Sequence, residues 1–155
     1  MTTAAATAGN FMLDSDEEQD QLIREFQLEC EERLESLDRD IASLDEHPTN
    51  IEALSGVFRT FHTIKGTAGF FAFHKLASIA HAAEGLSIGL RDGRLDWNPH
   101  RAVALRHAAV MLRRILASIA ATRAEGDADC ASLLEDLGRL KRPDDERGAA
   151  RRPDR

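Results

Sequence analysis

The chain has 155 residues, and its 27 acidic against 20 basic side chains give a net charge of −7. This length suits one domain with a substantial core, and the acidic balance argues against a general nucleic-acid binder. Because the composition is rich in Ala, Leu, Glu and Arg, with no tyrosine and one tryptophan, it favours helix over strand.

The sequence also predicts the cellular location of the protein. No apolar run reaches the roughly 18 residues that a membrane span needs, and the first residues lack the basic and apolar regions of a signal peptide. The two cysteines, Cys30 and Cys130, fall at helical core positions, where we expect small buried thiols in a reducing compartment rather than a disulfide. We therefore predict a cytoplasmic protein that does not contact a membrane.

The first predicted element is a long amphipathic helix with an acidic outer face. Residues 1–14 show no periodicity and predict a flexible N-terminus, whereas Ser15 followed by Glu18 has capping-box spacing. The helix is expected to stop before Pro48, since proline disfavours helical backbone in the residue before it. Apolar residues recur in it at spacings of three and four: Ile23, Phe26, Cys30, Leu34, Leu37, Ile41 and Leu44.

A second helix is predicted to open with a capping box from Thr49 to Glu52 and to weaken at Gly69. It is followed by an aromatic junction of Phe70, Phe71 and Phe73, which we interpret as core. The apolar stripe of this helix comprises Leu54, Val57, Phe58, Phe61, Ile64 and Ala68.

Three further helices complete the predicted domain. The third starts near His74 and ends at Asp92-Gly93, the fourth starts at Asn98-Pro99 and ends near Gly126, and Asp127 caps a fifth. The fourth is expected to pack through Val103, Leu105, Ala108, Leu112, Ile115, Leu116 and Ile119, and the fifth through Cys130, Leu133, Leu134, Leu137 and Leu140.

Short loops between such helices make neighbours antiparallel. We therefore predict an all-α fold over residues 15–140, an antiparallel four-helix bundle with an additional C-terminal fifth helix. Residues 141–155 have no apolar pattern and predict a disordered tail or a linker. The outer faces of the four main helices are polar, so a monomer is expected.

His62 is the residue in the second helix that most suggests chemistry. It falls about 100° from the centre of the apolar stripe, on the shoulder of the helix. Gly66 and Gly69 lie on the same side, although a glycine within a helix costs roughly 0.5–1 kcal/mol relative to alanine. Lys65 adds a positive charge one turn on. This pattern predicts a reactive imidazole that something approaches closely.

Glu84, on the shoulder of the third helix, could accept a hydrogen bond from one imidazole N–H and leave the other nitrogen as a nucleophile. Lys65 could then screen the negative charge of an incoming phosphoryl group. His81, one turn before Glu84, lies at the outer rim. Each residue also has an ordinary explanation, because helical histidines are often structural and lone lysines and glutamates are usually solvated.

Two other kinds of function are open on the residues alone. The spacing of His81 and Glu84 resembles that of metal-binding bundles, but no second His/Glu set lies at core positions of the other helices. Alternatively, the bundle could be a non-phosphorylated helical interaction module that binds partner helices through its Phe-rich junction. The glycines beside His62 argue against such a scaffold, because it would not need them.

The stretch Phe58-Arg-Thr-Phe-His62-Thr-Ile-Lys65-Gly66-Thr-Ala-Gly69 resembles the signature of histidine phosphotransfer (HPt) domains, F-R-x-x-H-[ST]-[IL]-K-G-x-[AS]-[GA]. The similarity continues to His81-Ala-Ala-Glu84 and covers roughly residues 15–140. It is closest to the N-terminal phosphoacceptor (P1) domain of CheA-type chemotaxis histidine kinases. Phe61 departs from the family, where a small residue is frequent, and this departure bears on partner choice.

The resemblance implies a phosphorelay component without an ATP site of its own. A histidine kinase catalytic domain would phosphorylate His62 using ATP and Mg²⁺, and the group would pass to the aspartate of a CheY-like response-regulator receiver domain. Lys65 would be the supporting cation, Glu84 the acceptor that orients His62, and His81 part of the surrounding network. Gly66 and Gly69 would provide clearance for the partner. No cofactor, metal or nucleic acid is expected to bind, and the chain could be free-standing or part of a larger kinase.

Overall fold

The computed structural model describes residues 16–144, which form five α-helices and no strand. The first four helices pack as a bundle, and the fifth lies against the third and fourth. The predicted all-α bundle with a fifth helix is thereby confirmed. The helices are α1 (Asp16–Glu46), α2 (Ile51–Phe70), α3 (His74–Arg91), α4 (Pro99–Thr122) and α5 (Ala131–Leu140).

The predictions for residues 1–14, for the Ser15 cap and for the tail beyond residue 144 lie outside the described residues. Every helix between residues 16 and 144 is too short or too polar to span a lipid bilayer.

The core follows the predicted apolar stripes closely. All seven apolar residues proposed for α1 are buried, and so are five of the six proposed for α2. One residue in each of the stripes predicted for α4 and α2 is an exception. Val103 is 50% exposed because it lies on the outer face of α4, and Phe58 is only half-buried because it lies at the edge of the α2–α3 contact.

Several helix ends differ from the prediction. Asn50, not Thr49, caps α2, because its side-chain oxygen accepts hydrogen bonds from the backbone N–H groups of Glu52 and Ala53. Helix α4 stops at Thr122, four residues before Gly126, because Arg123 adopts a left-handed conformation with φ 61°.

The start of α5 also differs from the prediction. Asp127 does not cap this helix, whose N-cap position is Cys130. Asp129 Oδ1 instead accepts a hydrogen bond from the backbone N–H of Ala131 at 3.0 Å. Cys130 is therefore half-buried at the end of the helix rather than within its core stripe, whereas Cys30 is buried as expected.

The chain between α2 and α3 turns tightly around aromatic side chains. The rings of Phe71 and Phe73 pack on Phe26 of α1, with centroids 5.1 and 5.8 Å apart, so these two residues belong to the core as predicted. Phe70 is 62% exposed instead. Helix α3 has no cap from its own N-cap residue, and Glu125 of the α4–α5 loop accepts a hydrogen bond from Leu76 N at 2.7 Å.

Arg101, which the sequence did not single out, is a fully buried charge at the start of α4. Its guanidinium donates hydrogen bonds to three backbone carbonyls, those of Asp96, Leu140 and Arg142, and to the carboxylate of Asp144. Burial lowers the pKa of this guanidinium. These bonds join the loop before α4 to the end of α5, and they hold the chain that follows α5 against the bundle.

Candidate functional site

The contact between α2 and α3 brings His62 and Glu84 together. His62 Nδ1 lies 2.7 Å from Glu84 Oε2, a short hydrogen bond. The imidazole is largely in solvent, with 60% of its side chain exposed, whereas only 9% of the Glu84 side chain is exposed. The geometry that the sequence predicted between these two residues is therefore present, with Glu84 more deeply buried than a shoulder position suggested.

Lys65 uses the other oxygen of the same carboxylate. Its Nζ donates to Glu84 Oε1 at 2.9 Å. Burial by itself would raise the pKa of Glu84, but the hydrogen bonds from Lys65 and His62 outweigh it and hold that pKa below its ordinary value. Glu84 is therefore an anion near neutral pH, able only to accept hydrogen bonds.

An ionised Glu84 determines the tautomer of a neutral His62. Because the carboxylate can only accept, Nδ1 carries the proton, and the lone pair of the ring is then on Nε2. Nε2 belongs to the exposed side chain, so it is available to a group arriving from outside the bundle. The arrangement supplies a nucleophile, an anion that can balance positive charge on the ring, and a nearby cation.

Two glycines leave the surface next to His62 open. Apart from the adjacent residues and the backbone of α2 itself, a Cβ atom added to Gly66 or Gly69 would meet no atom of the described chain within 4 Å. Gly56 differs, because a Cβ there would collide with the side chain of Asp40, the Cγ of which would lie 2.9 Å away. Packing within this chain therefore explains why a glycine stands at position 56. It does not explain the glycines at positions 66 and 69.

Two residues to which the resemblance drew attention lie outside the site itself. His81 is exposed and makes no hydrogen bond or ion pair within residues 16–144, so it is not part of the His62 network there. Phe61 is fully buried in the core, so it cannot influence partner choice by direct contact. The other four histidines, His47, His74, His100 and His107, are all exposed.

No group of three His, Cys, Asp or Glu side chains in the described part of the chain is placed to hold a metal ion. Both oxygens of Glu84, the carboxylate considered with His81 for such a site, are engaged by His62 and Lys65.

A stacking partner of His62, and a cation that contacts that partner, were not predicted from the sequence. The ring of Phe58, predicted to lie in the core, stacks on the imidazole with centroids 5.4 Å apart, and the guanidinium carbon of Arg91 lies 4.2 Å from the centroid of the same ring. The spacing of four between Phe58 and His62 could have indicated the stack, since such residues are neighbours on a helix. Arg91 comes from α3, and only the packing of the two helices places it there.

Comparison with known proteins points to one family. A model of the Hpt domain matches residues 21–125. The chemotaxis protein CheA of Halobacterium salinarum is 37% identical over 82 residues, which are 53% of this chain and 12% of that protein. CheA of Treponema pallidum is 34% identical over 76 residues, 49% of this chain and 9% of that protein.

CheA of Listeria innocua is 29% identical over 122 residues, which are 79% of this chain and 20% of that protein. The chain thus spans no more than about a fifth of the length of these three relatives. No solved structure gives a significant match.

Proposed function

Because the chain belongs to the Hpt domain family, we propose that it is a phosphohistidine carrier of two-component signalling, with His62 as the phosphoacceptor. The observation that carries this proposal is the exposed imidazole whose Nδ1 is held by the buried carboxylate of Glu84. Such an arrangement leaves Nε2 free as the nucleophile. Lys65 is the supporting cation, and the open surface at Gly66 and Gly69 is the clearance for partner domains.

The first transfer takes the γ-phosphoryl group from ATP bound to a histidine kinase catalytic domain. The lone pair of Nε2 forms the N–P bond while the bond from phosphorus to the bridging oxygen of ADP breaks, and ADP leaves with that electron pair. The imidazole retains its proton on Nδ1 and becomes positively charged. Glu84, 2.7 Å from Nδ1, offsets this charge.

The second transfer reverses the chemistry at the ring. A carboxylate oxygen of a receiver-domain aspartate bonds to phosphorus, the N–P bond breaks, and its electron pair returns to Nε2. Mg²⁺ and most of the stabilisation of the moving group come from the partner domains in both steps. On this proposal the domain is not an enzyme in isolation.

The names of the relatives suggest the wider setting. Since the similar proteins are named as chemotaxis proteins, we propose a CheA-like kinase domain as donor, a CheY-like receiver domain as acceptor, and a cytoplasmic, chemotaxis-type pathway. The domain would act there as a monomer, either alone or as the phosphoacceptor domain of a larger kinase.

The test is a labelling experiment with the catalytic domain of a CheA-type kinase and radiolabelled ATP. Wild type is compared with His62→Gln and with His107→Gln, which changes an exposed histidine on α4. We expect acid-labile, base-stable label on wild type and His107→Gln, none on His62→Gln, and passage of the label to a receiver domain. Equal labelling of His62→Gln would refute the assignment of the site.

The alternative function, a non-phosphorylated interaction module that binds partner helices through its Phe-rich junction, gains support from the exposure of Phe70 in that junction. A scaffold has no use for a buried carboxylate held against an exposed imidazole. A domain that binds a receiver domain but takes no label from several kinases would favour the module.

A further inference from the structure

Three side chains form a contact series at one edge of the α2–α3 contact. Phe58 lies one helical turn before His62, and its ring stacks on the imidazole with an interplanar angle of 22°. The guanidinium of Arg91, in the last turn of α3, lies against the same ring with its carbon 4.2 Å from the ring centroid. Phe58 is half-buried and 35% of the Arg91 side chain is exposed, so the cation covers a ring that the core leaves partly open.

Arg91 has no strong ionic partner that explains this placement. Its ion pair with Asp92, the next residue, has an N–O distance of 3.4 Å at the surface, and exposed pairs of this kind contribute little. Lys65 differs, because its ammonium is engaged by the buried Glu84 at 2.9 Å. The close contact of Arg91 with the Phe58 ring is a cation–π interaction.

We propose that Arg91 is a positioning residue for His62 that acts through Phe58. This inference rests on the proposed phosphotransfer at His62. The hydrogen bond to Glu84 restrains one atom of an imidazole whose side chain is 60% exposed, and small coupled changes of the two side-chain torsions can still tilt the ring. The stack with Phe58 restrains the plane of the ring, and Arg91 holds Phe58 in place. Nε2 then keeps one direction towards an incoming phosphorus, which favours reaction.

Arg91 could also influence His62 directly through its charge, but this is the weaker explanation of its role. The two contact distances allow a separation of up to about 10 Å between the guanidinium carbon and the imidazole centre, and salt screens charges at an exposed surface over about 8 Å at physiological ionic strength. On an exposed surface most of such an interaction is screened. The contact series through Phe58 is short-range and does not depend on salt in this way.

The experiment compares wild type with Arg91→Met, Phe58→Leu and the double variant. Arg94→Met is the control, because it removes an exposed arginine three residues further along the chain. Phosphoramidate serves as phosphodonor, so no partner domain is needed. Circular dichroism and thermal unfolding show whether each variant is folded.

We expect each single variant to lower the rate of phosphohistidine formation about two- to fivefold, and Arg94→Met to leave it unchanged. The double variant should be no slower than the slower single variant, since both changes break the same series. In the NMR spectrum of unphosphorylated Arg91→Met, the ring-current shifts of the His62 Cδ2 and Cε1 protons should shrink, because Phe58 no longer holds its place.

Three results would overturn the inference. They are a wild-type rate in Arg91→Met, a double variant in which the two effects multiply, and a slower Arg91→Met with unchanged ring-current shifts. These outcomes differ from failure of the proposed function, in which neither phosphoramidate nor a kinase would label wild type at His62. That failure would remove both proposals, whereas equal labelling of wild type and Arg91→Met removes this one alone.

Discussion

The two oxygens of Glu84 contact different partners, His62 through Oε2 and Lys65 through Oε1. One carboxylate therefore orients the proposed nucleophile and is itself kept ionised by the adjacent ammonium. At the scale of single residues, the reactivity proposed for this domain depends on the charge of one buried group. Two predictions follow from that dependence.

Glu84→Gln keeps the size of the side chain and removes its charge. An amide can donate as well as accept, so the Nδ1–H tautomer of His62 is no longer enforced. We expect phosphorylation of His62 to slow by roughly 10- to 100-fold, while the free energy of unfolding falls by only about 1–2 kcal/mol because Lys65 is accessible to water. Labelling kinetics and urea unfolding measure the two effects, and a variant as fast as wild type would contradict the role of Glu84.

The lowered pKa of Glu84 also predicts a pH dependence of stability. An acid whose pKa is lower in the folded state stabilises the fold above its ordinary pKa, here 4.5, and loses that contribution as pH falls through the lowered folded value. The difference in melting temperature between wild type and Glu84→Gln should therefore not shrink between pH 7 and about 5. It should shrink only below the ordinary pKa, and a difference that vanishes at pH 6 would contradict this account.

At the scale of helices, the apolar pattern predicted which residues face inwards far better than where each helix ends. The apolar stripe of α1 was predicted without error, because its apolar residues repeat at the helical period over 31 residues and these same residues are buried. The end of α4 and the cap of α3 depend on Arg123 in a left-handed conformation and on Glu125, which is remote in sequence from Leu76. Such contacts cannot be predicted from local sequence patterns.

Arg101 provides a prediction at this scale, since it joins α4 to the end of α5. Arg101→Met would leave the carbonyls of Leu140, Asp96 and Arg142 without their donor. We expect a loss of about 3 kcal/mol in the free energy of unfolding and faster proteolysis at α5, with phosphorylation of His62 unchanged in the folded fraction.

The matched control for Arg101→Met is Arg106→Met. Arg106 is a half-exposed arginine of the same helix, and it pairs with Asp45 at the surface. Such a pair contributes less than about 1 kcal/mol. Equal losses of stability in the two variants would show that the buried contacts of Arg101 contribute no more to the free energy of unfolding than the surface pair of Arg106.

For the whole molecule, the sequence was enough to predict the bundle and the facing positions of His62 and Glu84. Both follow from helical periodicity and short loops, which determine the faces of neighbouring antiparallel helices. The contacts of Phe58 with Arg91, and those of buried Arg101, could not be predicted in the same way. These contacts depend on the axial offset between two packed helices and on the path of a connecting loop. Neither can be predicted from the sequence of one helix.

The most direct test of the account is to identify the phosphorylated nitrogen. Wild type labelled with ¹⁵N in its histidine rings would be phosphorylated and examined by ¹H–¹⁵N and ³¹P NMR. Because Glu84 holds the proton on Nδ1, we predict one phosphohistidine, at His62, with phosphorus on Nε2 and the proton still on Nδ1. Phosphorus on Nδ1, or on another histidine, would contradict the proposed arrangement of nucleophile and carboxylate.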